Sequence, residues 1–278
     1  MPTNINIIRT IVIEEVIEET PTVKTFVFKD NSSSIAKPGQ FLMVWIPGIE
    51  ELPMSVMVSD KKDCAAVTIR KHGFGSTALF NKEVGDILGV RGPYGNQFKI
   101  NIHTKKVLLV GGGTGLVPLL RLTTIINKAK IDTTIIIGAA SKEEVFFKKQ
   151  ARDFLSKTKH EVIVTTEDGS YGVKGYATDA MSEIVNKQKF DMVYTCGPEL
   201  MMKKVFDITS ANSLPIQASL ERYMKCGIGI CASCCIGDQL VCKDGTVFNG
   251  KQLSAMTEFG RIYRDKSGRK NMFSECCR

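Results

Sequence analysis

Four cysteines near the C-terminus, Cys226, Cys231, Cys234 and Cys242, have the residue type and spacing to hold an iron–sulfur cluster. Cys226-x4-Cys231-x2-Cys234 matches the opening of a plant-type [2Fe-2S] loop, and Cys242 supplies a fourth thiolate. Gly227 and Gly229 let the backbone come close to the sulfurs and turn N–H groups towards them. The fourth cysteine arrives sooner than in plant-type ferredoxins, so the match is partial. A four-cysteine zinc site is the rival, but zinc favours two short Cys-x2–4-Cys knuckles, and Cys234 to Cys242 is too wide for the second. Cys235, next to a ligand, should point away from the metal. Most of the nine cysteines fall between Cys226 and Cys242 or at Cys276 and Cys277, a clustering that favours a metal site over scattered core thiols. The chemistry this predicts is electron transfer.

A second feature is Gly111-Gly112-Gly113-Thr114-Gly115, which follows the apolar run Val107 to Val110 and precedes a helix with Pro118 in its first turn. Strand before and helix after make this a pyrophosphate cradle, because backbone N–H groups and the helix dipole converge there. Pro118 replaces the third fingerprint glycine, and Gly138 to Lys142 carries no acid that would choose NAD over NADP. Cys196-Gly197-Pro198-Glu199 lies where a buried strand gives way to a helix, the edge at which doubly wound sheets place ligands, although a plain turn with a buried cysteine would read the same. Lys71 to Thr77 and Leu52-Pro53-Met54-Ser55 stand out in the first third, and Gly73 and Gly75 with nearby hydroxyls would suit a phosphate. His72, His103 and His160 are solitary. No Ser–His–Asp, paired-carboxylate or His-Glu-x-x-His arrangement supports hydrolysis.

These residues need three frames to hold them, and 278 residues are enough for two or three compact units. Residues 1–102 read as short strands (Ile11–Ile13, Thr25–Phe28, Phe41–Trp45, Val67–Ile69) parted by Lys37-Pro38-Gly39 and Pro47-Gly48, the pattern of a small antiparallel β-barrel. Residues 103–214 alternate strand and helix and predict a doubly wound parallel α/β sheet. Its strands are expected near 134–138, 161–165 and 191–196, and its helices near 143–155, 177–186 and 199–209. Residues 215–278 form a loop-rich cysteine segment with a basic tail from Arg261, expected to be partly mobile. Ser32-Ser33-Ser34 marks a loop. Composition is that of a globular protein, 43% hydrophobic and 24% charged, with no apolar run of the roughly 20 residues that span a bilayer and no secretory leader pattern. A cytoplasmic, membrane-free protein is expected. Net charge is +8, but the basic residues are dispersed, which disfavours nucleic acid.

In this order the pieces resemble the ferredoxin–NADP reductase superfamily, a flavin-binding barrel followed by a nicotinamide-binding domain. The run Leu220 to Cys234, LERYMKCGIGICASC, with Val241-Cys242-Lys243-Asp244-Gly245-Thr246-Val247-Phe248, looks like the signature of the electron-transfer subunits of type B dihydroorotate dehydrogenases. The resemblance covers nearly the whole chain. It implies FAD across the barrel, its ring near Leu52, Pro53, Met54 and Ser55 with contacts from Thr68, Ile69 and Arg70, and its pyrophosphate near Gly75 and Ser76. It implies NAD as acceptor, on Gly112, Gly113, Thr114 and Gly115 and the turn Cys196, Gly197 and Pro198. The [2Fe-2S] cluster would face a separate FMN-containing catalytic subunit that oxidises dihydroorotate in UMP synthesis, in a heterotetramer with two copies of each chain.

The superfamily's flavin motif, Arg-x-Tyr-Ser, is altered here: Leu52 replaces the arginine and Met54 the tyrosine. A phosphate partner and an aromatic stacker are both missing, and Arg70, Lys71 or Arg91 is expected to restore the charge. FAD fits chemically between a one-electron cluster and a two-electron nicotinamide. Hydrogenase, sulfide dehydrogenase and ferredoxin-dependent transhydrogenase reductase subunits share this layout. A zinc-stabilised nucleotide-binding regulator is the reading from a different class.

Overall fold

The computed structural model describes residues 4–273. Strands β1 (Arg9–Thr20), β2 (Val23–Lys29), β3 (Phe41–Ile46), β4 (Glu50–Met57), β5 (Cys64–Arg70) and β6 (Ile87–Tyr94) close an antiparallel barrel in the order β1-β2-β5-β4-β3-β6. The strands alternate as the pleat requires, so Ile11 and Ile13 of β1 enter a core with Phe26, Phe28, Leu42, Val44 and Val67. Helix α1 (Asn31–Ser34) occupies the stretch expected to be a loop. Asp30 converts it by accepting from Ser33 N at 2.9 Å, an N-cap whose carboxylate is also held by Arg9. Helix α2 (Phe74–Phe80) follows β5.

The second frame contains β7 (Lys106–Gly112), α3 (Leu116–Ala129), β8 (Asp132–Ala139), α4 (Lys148–Phe154), β9 (His160–Thr166), β10 (Val173–Lys174), α5 (Ala177–Lys187), β11 (Met192–Cys196), α6 (Glu199–Ala211) and β12 (Ile216–Ser219). The sheet runs β10-β9-β8-β7-β11-β12 with every one of these pairings parallel. The strand order reverses at β7, so a crevice must open beyond the carboxyl ends of β7 and β11. The helix expected over 143–155 is shorter. Phe147 adopts φ 65°, outside the helical region, and α4 begins after it. Phe146 and Phe147 are both buried and meet edge to face with centroids 4.7 Å apart, so burial of the pair overrides helical continuity.

The cysteine segment carries β13 (Cys235–Ile236), β14 (Gln239–Leu240), α7 (Val241–Asp244), β15 (Val247–Asn249), α8 (Gly250–Ala255), β16 (Ile262–Arg264) and β17 (Lys270–Met272). β15 joins the large sheet antiparallel to β12, and β16 and β17 form a hairpin from the stretch expected to be partly mobile. Cys276 and Cys277 lie outside the described residues. Cys234, Ile236, Cys242, Phe248 and Phe259 share a core with Val110, Val193 and Met202 of the sheet domain and with Phe41 and Met43 of the barrel.

Arg121 of α3 ties the barrel to the sheet domain. Buried, it donates to Ala36 O at 2.8 Å, Met57 O at 3.0 Å and Ser34 O at 2.6 Å. Burial pulls its pKa down to about 10, which leaves it charged at neutral pH. Ser34 is the last residue of α1, so the guanidinium also satisfies a helix-terminal carbonyl.

Candidate functional site

Two cavities meet where the three frames join. The first, about 560 Å³, is lined by Gly112 to Gly115, by Gly138 to Ala140 at the end of β8, and by Glu144, Glu167 and Tyr176. The second, about 670 Å³, is lined by Pro53, Met54 and Ser55 of β4, Thr68, Ile69 and Arg70 of β5, and residues of the cysteine segment. Arg70, Thr114, Gly197, Pro198 and Glu221 line both, so the two open onto one another.

Steric fit makes the first cavity. A Cβ on Gly115 would lie 2.4 Å from Gly197 N and 2.5 Å from Cys196 O, so the two strand-end loops can touch through glycine but through no larger residue. Gly197, at φ +147°, is equally confined: its Cβ would meet Gly112 O at 2.9 Å. Thr195 Oγ1 donates to Val110 O at 2.9 Å and locks β11 onto β7 immediately before this contact. Cys196 itself is buried behind the turn, its Sγ 3.8 Å from Glu221 Oε1. Burial pushes the Cys196 thiol well up, and crowding by protein raises the Glu221 carboxyl although that side chain opens onto the cavity.

Of the predicted flavin-side residues, Pro53, Met54, Ser55, Thr68, Ile69 and Arg70 are brought together. Leu52 packs partly buried against the barrel core, and Gly75 and Ser76 lie outside the lining. Ser76 Oγ is occupied in the first turn of α2, accepting from Gly73 N at 2.8 Å, and Glu50 fills the space above Gly75. Arg91 does not supply the missing phosphate charge, since Glu51 holds it in a two-pronged pair at 2.7 Å and Tyr94 Oη takes a third bond at 3.2 Å. Arg70 pairs with Glu144 at 2.9 Å on the boundary between the two cavities. Glu221 escaped sequence reasoning because no local spacing ties it to the glycine loops; the sheet topology brings it there, beside Glu144 and Glu167 from the loops after β8 and β9.

The cysteines come together as two pairs. Cys226 Sγ accepts from Ile230 N at 3.3 Å and Cys231 N at 3.5 Å, while Cys234 Sγ accepts from Cys242 N at 3.4 Å. Gly229 N donates to Cys242 Sγ at 3.2 Å. Cys234 and Cys242 are buried and Cys231 is exposed. Among the described residues no three Cys, His or acidic side chains form a group ready for a single ion. A two-iron cluster takes two thiolates on each iron, and paired thiolates already receiving backbone N–H groups fit it. Burial opposes ionisation of Cys231, yet hydrogen bonds from Ser233 and Cys226 prevail and bring its thiol to about 6.

The cluster loop rests on the barrel strand that borders the second cavity: a Cβ on Gly227 would lie 2.8 Å from Met43 Cγ of β3. Two buried ion pairs brace this region. Glu199 holds Arg222, and Glu258 holds Arg264 at 2.8 Å. Arg264 also donates to Cys235 O at 3.4 Å, and Gly237 N donates to Glu258 at 3.1 Å.

Sequence comparison agrees with this division. Residues 109–207 match the oxidoreductase NAD-binding domain, and residues 221–254 match the iron–sulfur cluster binding domain of dihydroorotate dehydrogenase B. A solved NADH-dependent reduced ferredoxin–NADP oxidoreductase superposes with a TM-score of 0.79 at 28% identity, covering 90% of this chain and 92% of that one. The flavohemoglobin of Malassezia yamatoensis, solved with bound FAD and heme, shares the fold at a TM-score of 0.65 and 19% identity, covering 75% of this chain and 57% of that one. Fold and site thus define an NAD-binding oxidoreductase with an appended iron–sulfur domain.

Full-length relatives narrow the class. Probable dihydroorotate dehydrogenase B (NAD(+)) electron transfer subunits from Methanocaldococcus jannaschii and Pyrococcus furiosus are 44% and 41% identical, over 93% and 94% of this chain and 96% and 98% of theirs. The chain belongs to this family of electron transfer subunits. No helix among the described residues is long and apolar enough to cross a membrane.

Proposed function

We propose that this chain takes electrons from an FMN-containing dihydroorotate dehydrogenase catalytic subunit and delivers them through a [2Fe-2S] cluster and FAD to NAD+. It would do so in the cytoplasm, within a heterotetramer of two copies of each subunit. The observation that carries the reading is continuity: the cysteine loop packs on β3, β3 borders the flavin-side cavity, and that cavity shares five lining residues with the dinucleotide cavity. A bound flavin exchanges single electrons on one side and a hydride on the other, the conversion such a layout requires.

The chain's own residues position these groups. Cys226, Cys231, Cys234 and Cys242 would hold the cluster, one thiolate pair to each iron, and the N–H groups of Gly229, Ile230, Cys231 and Cys242 favour electron-rich sulfur. Pro53 to Ser55 and Thr68 to Arg70 wall the flavin ring. The Gly112–Gly115 loop receives the dinucleotide pyrophosphate at the start of α3, and the turn Gly197-Pro198 brings the nicotinamide to the shared wall. Arg70, on that boundary and held by the single, half-exposed contact with Glu144, would turn from it to supply the positive charge that Leu52 lacks.

The test is a visible absorption spectrum with iron and acid-labile sulfide analysis, followed by NAD+ reduction by dihydroorotate in the assembled complex. Two irons per flavin and dihydroorotate-dependent NADH formation are expected. A colourless chain with one bound zinc would overturn the electron-transfer reading. Turnover with reduced ferredoxin or sulfide but none with dihydroorotate would move the chain to a different donor.

A further inference from the structure

The hairpin β16–β17 lies beyond both matched domains, which end at residues 207 and 254. It is nonetheless tied down on two sides. Beside its turn, Glu258 gathers Arg264 from one strand and Lys270, at 2.8 Å, from the other. Arg264 and Glu258 together reach Cys235 O and Gly237 N of the cluster loop, and Phe273 N closes the base on Arg261 O at 3.0 Å. Towards its tip, Lys266 contacts Glu50 at 3.3 Å and sits 5.9 Å from the Tyr223 ring centroid. Glu50 opens β4, the strand that also presents Pro53, Met54 and Ser55 to the cavity.

Held to the cluster loop through Glu258 and to β4 through Lys266, the hairpin lies along the edge of the flavin-side cavity. Its side chains confirm that course: Tyr263, Arg264 and Phe273 line the cavity. Tyr263 and Phe273 form a ring pair with centroids 5.0 Å apart, and Tyr263 remains 38% exposed, an apolar surface this protein keeps open to the cavity and to solvent. The altered motif offers a proline, a thioether and a hydroxyl where an aromatic stacker is absent, and Tyr263 and Phe273 add aromatic surface to a lining that also holds Phe41 and Tyr223.

We propose that the hairpin is an aromatic cover of the flavin site, with Tyr263 and Phe273 stacking on the isoalloxazine ring and Lys266–Glu50 as its latch. The proposal rests on the reading that FAD occupies this cavity. The cover slows flavin escape and screens the ring from water. Two rings at about 0.5–1.5 kcal/mol each correspond to a several-fold to hundred-fold effect on retention.

The experiment uses the full chain loaded with FAD and measures the FAD release rate, flavin emission and the electron paramagnetic resonance signal of the reduced cluster. In Tyr263→Leu/Phe273→Leu, release should speed up at least several-fold and emission rise, with the cluster signal unchanged. Tyr263→Phe keeps the wall but removes the quenching phenol, so emission should rise while release stays at the native rate. Lys266→Ala, an exposed change that leaves the core intact, should speed release by a smaller factor. Release and emission unmoved in the flavin-loaded double variant would overturn the cover, as would native behaviour of both single variants. Failure of the underlying reading looks different: the native chain takes up no FAD.

Discussion

The dinucleotide end and the cluster end of this molecule are built by different physical means. At the first, regular parallel strands bring two loops so close that Gly115 and Gly197 are dictated by van der Waals contact. At the second, an irregular loop is held by backbone N–H groups on sulfur and by the buried pairs Glu199–Arg222 and Glu258–Arg264. Shape fixes one site and hydrogen bonds with charge fix the other. The first should therefore fail by steric intrusion, the second by loss of a donor, an acceptor or a thiolate.

The largest expected effect is at the thiolates. Cys242→Ser should remove nearly all cluster iron while NAD+ affinity changes less than about threefold, well under 1 kcal/mol; iron analysis beside a binding titration checks both. Gly115→Val is the converse, expected to weaken NAD+ binding by about a hundredfold or more, some 2.7 kcal/mol, with iron content retained. If either variant damaged both sites equally, the division between the two ends would not stand. Arg121→Met lies outside both sites and should destabilise the fold by about 2–4 kcal/mol in a urea melt, because three buried carbonyls lose their donor.

The smallest effect is acid-dependent and confined to the cluster end. Hydrogen bonds from Arg264 above all, and from Lys270 and Gly237, hold the Glu258 carboxyl down to about 2, against an ordinary 4.5. A depressed carboxylate pKa contributes stability that is complete above the unfolded value and lost as pH falls through the folded one. Protection of the Gly237 amide from exchange should therefore decline between pH 4.5 and about 2. In Glu258→Gln this protection should be lower at neutral pH and should lack that step.

The same contrast explains what the sequence made legible. Cysteine spacing and a glycine loop between strand and helix are local patterns, so both sites could be located before the fold. The barrel and the parallel sheet followed from strand spacing and alternation. Three things were hidden because they depend on contacts between distant segments. Phe146-Phe147 breaks a helical run to bury two rings. Glu221 belongs to the shared wall through the position of β12, and residues 262–272 find their hairpin partners only with Glu258 and Glu50 in place. Arg91, a plausible phosphate partner by charge, is committed to Glu51 on the neighbouring barrel strands, a pairing that no one-dimensional pattern signals.

β15 has a consequence for how such a protein can be taken apart. This three-residue strand from the cysteine segment covers the outer side of β12, pairing Gln217 with Asn249 and Ser219 with Val247. A chain cut before residue 220 would leave β12 with unpaired N–H and C=O groups, an open edge that recruits strands from other molecules. The cluster segment is therefore not a detachable module that could be exchanged among reductases at a linker. It caps a sheet made earlier in synthesis, and the nascent chain is guarded against aggregation there only once residues 247–249 have arrived.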